Sequence, residues 1–203
     1  MNGKLIHDGT LISGMEAVTD QEIADNSVYS KGNLSRLINV FKKANRGESV
    51  TISYLGGSIT NGSSADPKET NCFAYQTTQW WKKTFPDTKI NYVNAGIGAT
   101  DSYLGVHRVA QDVLFKNPDL VVVEFSVNDY RSHNQESYES LLRRILKYKT
   151  KPAVVALCLT QFSQEGQCID YSQYHKIIAD HYNVSVISYG DVVGPRLENG
   201  TLQ

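Results

Sequence analysis

The stretch "VTISYLGGSITNGSS", residues 50–64, is an apolar, alternating run that stops at two glycines and then presents a serine. A serine at a strand-to-helix turn can raise its hydroxyl onto the rim of a sheet, while glycines let the backbone bend tightly. The amides of a following helix would then face negative charge forming on a substrate oxygen. Ser58 is therefore a candidate nucleophile, and the competing assignment is a plain helix cap. The Gly-x-Ser-x-Gly elbow fails by one residue, because Thr60 takes its last position. A phosphate loop fails as well, because Ser63 stands where G-x-x-x-x-G-K requires lysine.

Two further stretches could complete a site. "NAGIGATDS", residues 94–102, offers a tight turn centred on Gly98 and Ala99, whose amides can converge on one point. "SVNDYRSHN", residues 126–134, contributes the neutral amide of Asn128. Backbone N–H groups plus an asparagine amide make up an oxyanion hole. Asn128 and Asp129 could also be turn or cap residues. "GIGATD" supplies only G-x-G of the dinucleotide fingerprint, which leaves a flavodoxin-like phosphate or nucleotide binder as an alternative.

The elements that must position these loops are legible. Strands are predicted at 50–55, 89–93, 119–126, 152–159 and 184–189, three of them nearly continuous apolar runs suited to burial on both faces. Helical stripes lie between them: Leu34/Leu37/Ile38/Phe41, Val106/Val109/Val113, Tyr138/Leu141/Leu142/Ile145 and Tyr174/Ile177/Ile178, with "FAYQTTQWWKKTF" after the first strand. Alternation of this kind implies a five-stranded, mostly parallel sheet with helices on both faces. Ligands of such sheets sit outside the carboxyl ends of the strands, where all three Gly/Asn/Ser-rich loops should meet. Residues 1–30 are polar and weakly patterned and are assigned to an N-terminal arm, with 31–203 as one α/β domain.

Composition narrows the partners. The 203 residues carry a net charge of −1 and no basic run, which argues against nucleic acid and anionic membranes. No apolar run approaches the roughly 20 residues of a membrane span. The N-terminus lacks a signal-peptide core, which points to the cytoplasm; if Met1 is not the natural start, secretion stays open. Cys72, Cys158 and Cys168 form no CxxC pair; Cys158 reads as a buried hydrophobe, and a Cys72–Cys168 disulfide has no support beyond possibility. No Cys/His cluster has zinc spacing, and neither metal nor organic cofactor is implied. Oligomeric state is not encoded in any visible pattern.

The blocks "GGSIT", "NAGIGAT" and "EFSVND", in order after the first three strands, resemble the SGNH hydrolase superfamily of GDSL-like esterases and lipases. The resemblance covers about residues 32–203, and "GGSIT" with "VND" is similar to its bacterial branch of carbohydrate esterases. It implies a flavodoxin-like three-layer α/β/α sandwich, Ser58 as nucleophile and Asn128 in the oxyanion hole. The second-block donor is usually a glycine N–H five residues after an asparagine; counted from Asn94, that position is Ala99, beside Gly98. Two other positions depart from the pattern: Gly57 replaces the aspartate of GDS, and Ser126 replaces the glycine of GxND.

The resemblance also implies a histidine oriented by an aspartate in a D-x-x-H block after the fifth strand. No such block occurs: three residues beyond Asp101, Asp129 and Asp170 stand Leu104, Ser132 and Gln173. The expectation is a C-terminally truncated domain whose base lies past Gln203, leaving this chain alone with the roughly 10³–10⁴-fold residual catalysis of binding and oxyanion hole. His133, just beyond Asn128, is the in-chain candidate for a base or a substrate contact. His107, His175 and His181 are expected at the surface or core edge. Glu124, interrupting "VVVEFS", is expected to serve as a buried hydrogen-bonding group near the serine loop. At least one of Trp80 and Trp81 should be core, with sugar stacking as the alternative, and Asn61 begins a glycosylation-type "NGS". The sequence thus points to a serine esterase acting on a small acyl ester, such as an acetylated carbohydrate. An inactive SGNH-like binding module and the phosphate binder are the alternatives.

Overall fold

The computed structural model describes residues 6–7, 10–11, 20–162 and 168–198. Among the described residues the main sheet has six strands: β1 (Val28–Ser30), β2 (Val50–Gly56), β3 (Ile90–Gly96), β4 (Leu120–Glu124), β5 (Ala153–Cys158) and β6 (Ser185–Ser188). Their order across the sheet is β1-β6-β5-β4-β2-β3. The five expected strands are all parallel and follow the doubly wound flavodoxin order. The sixth is an addition: β1 comes from the segment assigned to the arm and pairs antiparallel with β6 at the edge. Three residues, two of them exposed, carry no alternation that sequence could reveal. The preceding helix Asp20–Ser27 also falls in that segment.

The period of two along β2 builds both cores. Val50, Ile52 and Tyr54 face the helices Ser35–Asn45 and Phe73–Thr84, in a cluster that includes Val40, Ala74 and Trp81. Leu55 joins the other cluster, with Val121, Val123, Val109, Leu141, Leu142 and Ile145, under the helices Ser102–Asp112, Asn134–Leu146 and Gln173–His181. Each fully buried aliphatic side chain here contributes about 1.5–3 kcal/mol. The result is the expected three-layer sandwich. Cys72 and Cys158 are buried free thiols, and the Cys168 side chain lies outside the described residues.

Strand register then sets the rim. Gly56 ends β2 opposite Gly96 of β3 on one side and Glu124 of β4 on the other. Three chain segments therefore leave the sheet at one level, and β2 and β4 flank the switch point where the strand order reverses. Among the described residues, no helix is long and apolar enough to cross a membrane.

Candidate active site

Ser58 opens a single helical turn, Ser58–Asn61, directly after Gly57, and the turn closes on left-handed Gly62. That turn is shorter than the helix expected to follow the serine; the one bearing Trp80 and Trp81 starts later, at Phe73. It is tied down on three sides. The Thr60 hydroxyl donates to Glu124 Oε2 at 3.1 Å, Asn61 Nδ2 donates to the Gly96 carbonyl, and Asn94 Nδ2 donates to the Thr60 carbonyl. Below it, Arg108 donates to the carbonyls of Ala95 and Gly56 at 2.7 and 3.0 Å, cross-linking the ends of β3 and β2. Every anchor belongs to a neighbour of Ser58, while among the described residues its own Oγ has no hydrogen-bond partner and caps nothing. The helix-cap assignment therefore fails.

The other two loops close on this turn. A Cβ built on Gly98 would touch the Ser58 Cβ at 4.0 Å. Ala99, the next residue, is exposed and holds φ +57°, the left-handed region in which a side chain costs about 1–2 kcal/mol. This explains why glycine suits the position while alanine can still occupy it. Asn128 packs over Gly57, and a Cβ at Gly57 would lie 2.4 Å from Asn128 Oδ1, so no larger residue fits there with Asn128 so placed. Asn128 Oδ1 is buried, faces Gly57 of the serine loop and has no hydrogen-bond partner among the described residues. Ser126, in place of glycine, staples the rim: its hydroxyl donates to the Leu159 carbonyl and accepts the Leu159 N–H, both at 2.8 Å.

Beneath Asn128 sits an arrangement that sequence reasoning missed. His175 is fully buried, not at the surface or core edge, and its Nε2 lies 2.9 Å from Asp129 Oδ2. The Tyr138 ring stacks on the imidazole at 3.7 Å and 6°. Asp129 Oδ1 accepts the Ser102 N–H that starts the helix Ser102–Asp112, and its carbonyl accepts from Tyr174 Oη. Asp129 is thus a cap, as one assignment held, but of a helix 27 residues earlier in the chain. Burial, opposed by Asp129, holds His175 below its usual range. The neutral ring donates Nε2–H to the carboxylate and leaves Nδ1 as an unprotonated nitrogen without a partner among the described residues.

Glu124 is another buried titratable group. Burial raises it to about 7, with Asp129 adding to the rise, against the Thr60 hydroxyl and the Gly57 and Ser126 amides. Its bond to Thr60 is the buried structural role expected of it. His133 precedes the helix Asn134–Leu146 as an exposed ring edge-on to Tyr103 at 5.3 Å. Among the described residues, no histidine nitrogen bonds to Ser58. Trp81 is core and Trp80 is exposed.

A flavodoxin-ordered α/β/α sandwich with a free serine between an exposed left-handed loop and an asparagine amide defines an SGNH-type hydrolase framework. Residues 54–201 match the GDSL-like Lipase/Acylhydrolase family, and the chain belongs to that family. Its fold resembles that of a two-domain esterase (CEX) active on acetylated mannans, at 42% identity and a TM-score of 0.82. The match covers 88% of this chain and 48% of the other, so the chain spans about half the length of that esterase. The acetyl xylan esterase AlAXEase (24% identity, TM-score 0.57, 74% of this chain and 83% of that one) shares the fold. So does AlinE4, an SGNH-hydrolase family esterase (16% identity, TM-score 0.57, 75% and 82%). No functionally curated protein matches this sequence.

Proposed function

We propose that this chain carries the nucleophile and oxyanion hole of a serine esterase that removes a small acyl group, acetyl in particular, from a carbohydrate. The observation that carries this reading is the half-buried, unbonded Ser58 beside Gly98, with Asn128 packed over Gly57. Family membership supports the reaction class, and likeness to an esterase active on acetylated mannans supports the substrate class.

In this mechanism Ser58 Oγ attacks the acyl carbon as a base takes its proton. The carbonyl oxygen becomes an oxyanion, held by the Ser58 and Ala99 N–H groups and the Asn128 amide. The tetrahedral intermediate collapses, and the sugar oxygen leaves with the proton returned by the base. Water then attacks the acyl-serine by the same steps and releases the carboxylic acid. A base must come within hydrogen-bond reach of the hydroxyl. The reading assigns it to a histidine of an Asp-x-x-His block following residue 203, where the family resemblance puts it.

A fluorophosphonate probe applied to the full-length protein should label Ser58 stoichiometrically, and Ser58→Ala should abolish both labelling and acetate release. A second reading, a binding module without catalysis, is favoured by the lack of any described histidine bonded to Ser58. Absence of labelling and of turnover in the full-length protein would establish it instead.

A further inference from the structure

The loop that carries Asn128 continues into Tyr130 and Arg131, and two residues of chain reach no further than about 7 Å. The backbone of Tyr130 therefore lies within that distance of Asn128. The residue is 60% exposed, yet its ring and hydroxyl both have partners. Arg131 Nη2 donates to Tyr130 Oη at 3.0 Å, the guanidinium carbon lies 4.9 Å from the ring centroid, and Nη1 pairs with Asp101 Oδ2 at 3.1 Å. Asp101 is itself fixed, accepting the Leu104 N–H as an N-cap. Tyr171, a residue 37% exposed, sets its ring 6.1 Å from that of Tyr130 at 49°. Its backbone N–H donates to the carbonyl of Ser126, in the same loop as Asn128. None of these contacts buries the two rings, and neither tyrosine takes part in the acyl-transfer steps.

We propose that Tyr130 and Tyr171 form a docking platform for the sugar rings of the acylated carbohydrate, with Arg131 as a positioning residue that holds Tyr130 in place. The inference rests on the carbohydrate-esterase reading above and assigns its specificity to these residues. A pyranose has an apolar C–H face and a rim of hydroxyls. Tyrosine faces suit the first, and the guanidinium and phenol hydroxyls suit the second. A protein partner would call for a contiguous apolar patch of several hundred Å², which two tilted rings do not supply. Docking a sugar here would place its acyl groups beside Asn128 and Ser58, at the carboxyl edge of β2 and β4.

The test compares two esters in the full-length protein: a partly acetylated manno-oligosaccharide and 4-nitrophenyl acetate. In Tyr130→Ala and Tyr171→Ala, the ratio of kcat/KM for the oligosaccharide to that for the aryl ester should fall at least tenfold, mainly through KM. Tyr130→Trp should retain most of the ratio, which a merely structural role would not predict. An unchanged ratio in both alanine variants overturns the platform and leaves the esterase reading standing. If the wild type cleaves neither ester, that reading fails, and calorimetric titration with unacetylated mannopentaose decides the platform. Affinity weakened tenfold in the alanine variants supports it. Absent wild-type binding, or equal binding by the variants, overturns it.

Discussion

His175 Nε2 and Asp129 Oδ2 are 2.9 Å apart, with both side chains fully removed from solvent. Because Asp129 follows Asn128 and also holds the Ser102 N–H, this pair fixes one wall of the proposed oxyanion site to two helices. Removing one partner leaves the other buried and uncompensated. His175→Ala should cost about 3–5 kcal/mol in chemical denaturation. His175→Gln, which keeps a donor, should cost visibly less; equal losses would refute the pairing as the source of the stability.

The unbonded Oγ of Ser58 and the unbonded Oδ1 of Asn128 predict variants that separate activity from folding. Ser58→Ala should shift stability by no more than about 0.5 kcal/mol. Asn128→Ala should lower kcat about 10²–10³-fold while leaving the denaturation midpoint nearly in place. Parallel losses of activity and stability in Asn128→Ala would assign that side chain to the framework instead.

Gly57 gives a steric test. An added methyl would meet Asn128 Oδ1 at 2.4 Å and the Thr100 carbonyl at 3.3 Å. Gly57→Ala should displace the asparagine amide and lower kcat at least tenfold, because misplacement by about 1 Å already carries costs near 10²-fold. An alanine variant with wild-type kcat would show that Asn128 does not act from its observed position.

Two buried groups give opposite pH dependences. Glu124 is raised from 4.5 to about 7 in the folded state, so the folded chain holds a proton that the unfolded chain releases in that window. Its contribution is complete below pH 4.5 and is lost as pH rises to about 7, by about 3 kcal/mol. His175 is lowered from 6.5, so below that pH the unfolded chain binds a proton the folded chain excludes, and stability falls as pH drops. Urea midpoints at pH 5 and pH 8 distinguish the two. Glu124→Gln should raise stability at pH 8 relative to pH 5, and His175→Gln should change that difference in the opposite direction.

Ser126→Ala would leave both the N–H and the carbonyl of Leu159 without their partner. A loss of about 1–3 kcal/mol is expected, measured by thermal or chemical unfolding.

The frame of the molecule was legible because strand and helix periods survive as patterns. The stripe Tyr138/Leu141/Leu142/Ile145 is buried as read, and the five parallel strands fall within two or three residues of their predicted limits. On the helix Gln173–His181 the reading was one residue out of phase. His175, Ile178 and Ala179 face the core, while Ile177 is 62% exposed. The i, i+3, i+4 spacing of 175, 178 and 179 was present, but a histidine does not register as apolar, and its burial depends on an aspartate 46 positions away. On the helix Ser35–Asn45, Val40 and Ala44 are likewise buried and Ile38 is 46% exposed, because the adjacent apolar pairs Leu37/Ile38 and Val40/Phe41 leave the phase of the stripe open. The convergence of the three loops could be anticipated from topology. The clamps that hold them, Arg108 on two carbonyls and Arg131 on Asp101, could not, since each joins residues that no local pattern relates.

The level exit of β2, β3 and β4 is set by backbone pairing that begins at Val50 and Ile90, a full strand length away from Ser58. The location of the proposed chemistry is therefore inherited from the sheet's hydrogen-bond ladder and not from the loops it serves. Outer residues such as Tyr130 and Tyr171 can be exchanged without retuning the ladder, so on the proposed reading substrate preference can change while the frame stays fixed. A one-residue slip of β2, by contrast, would turn every inward side chain outward and carry the serine away from its asparagine in the same stroke.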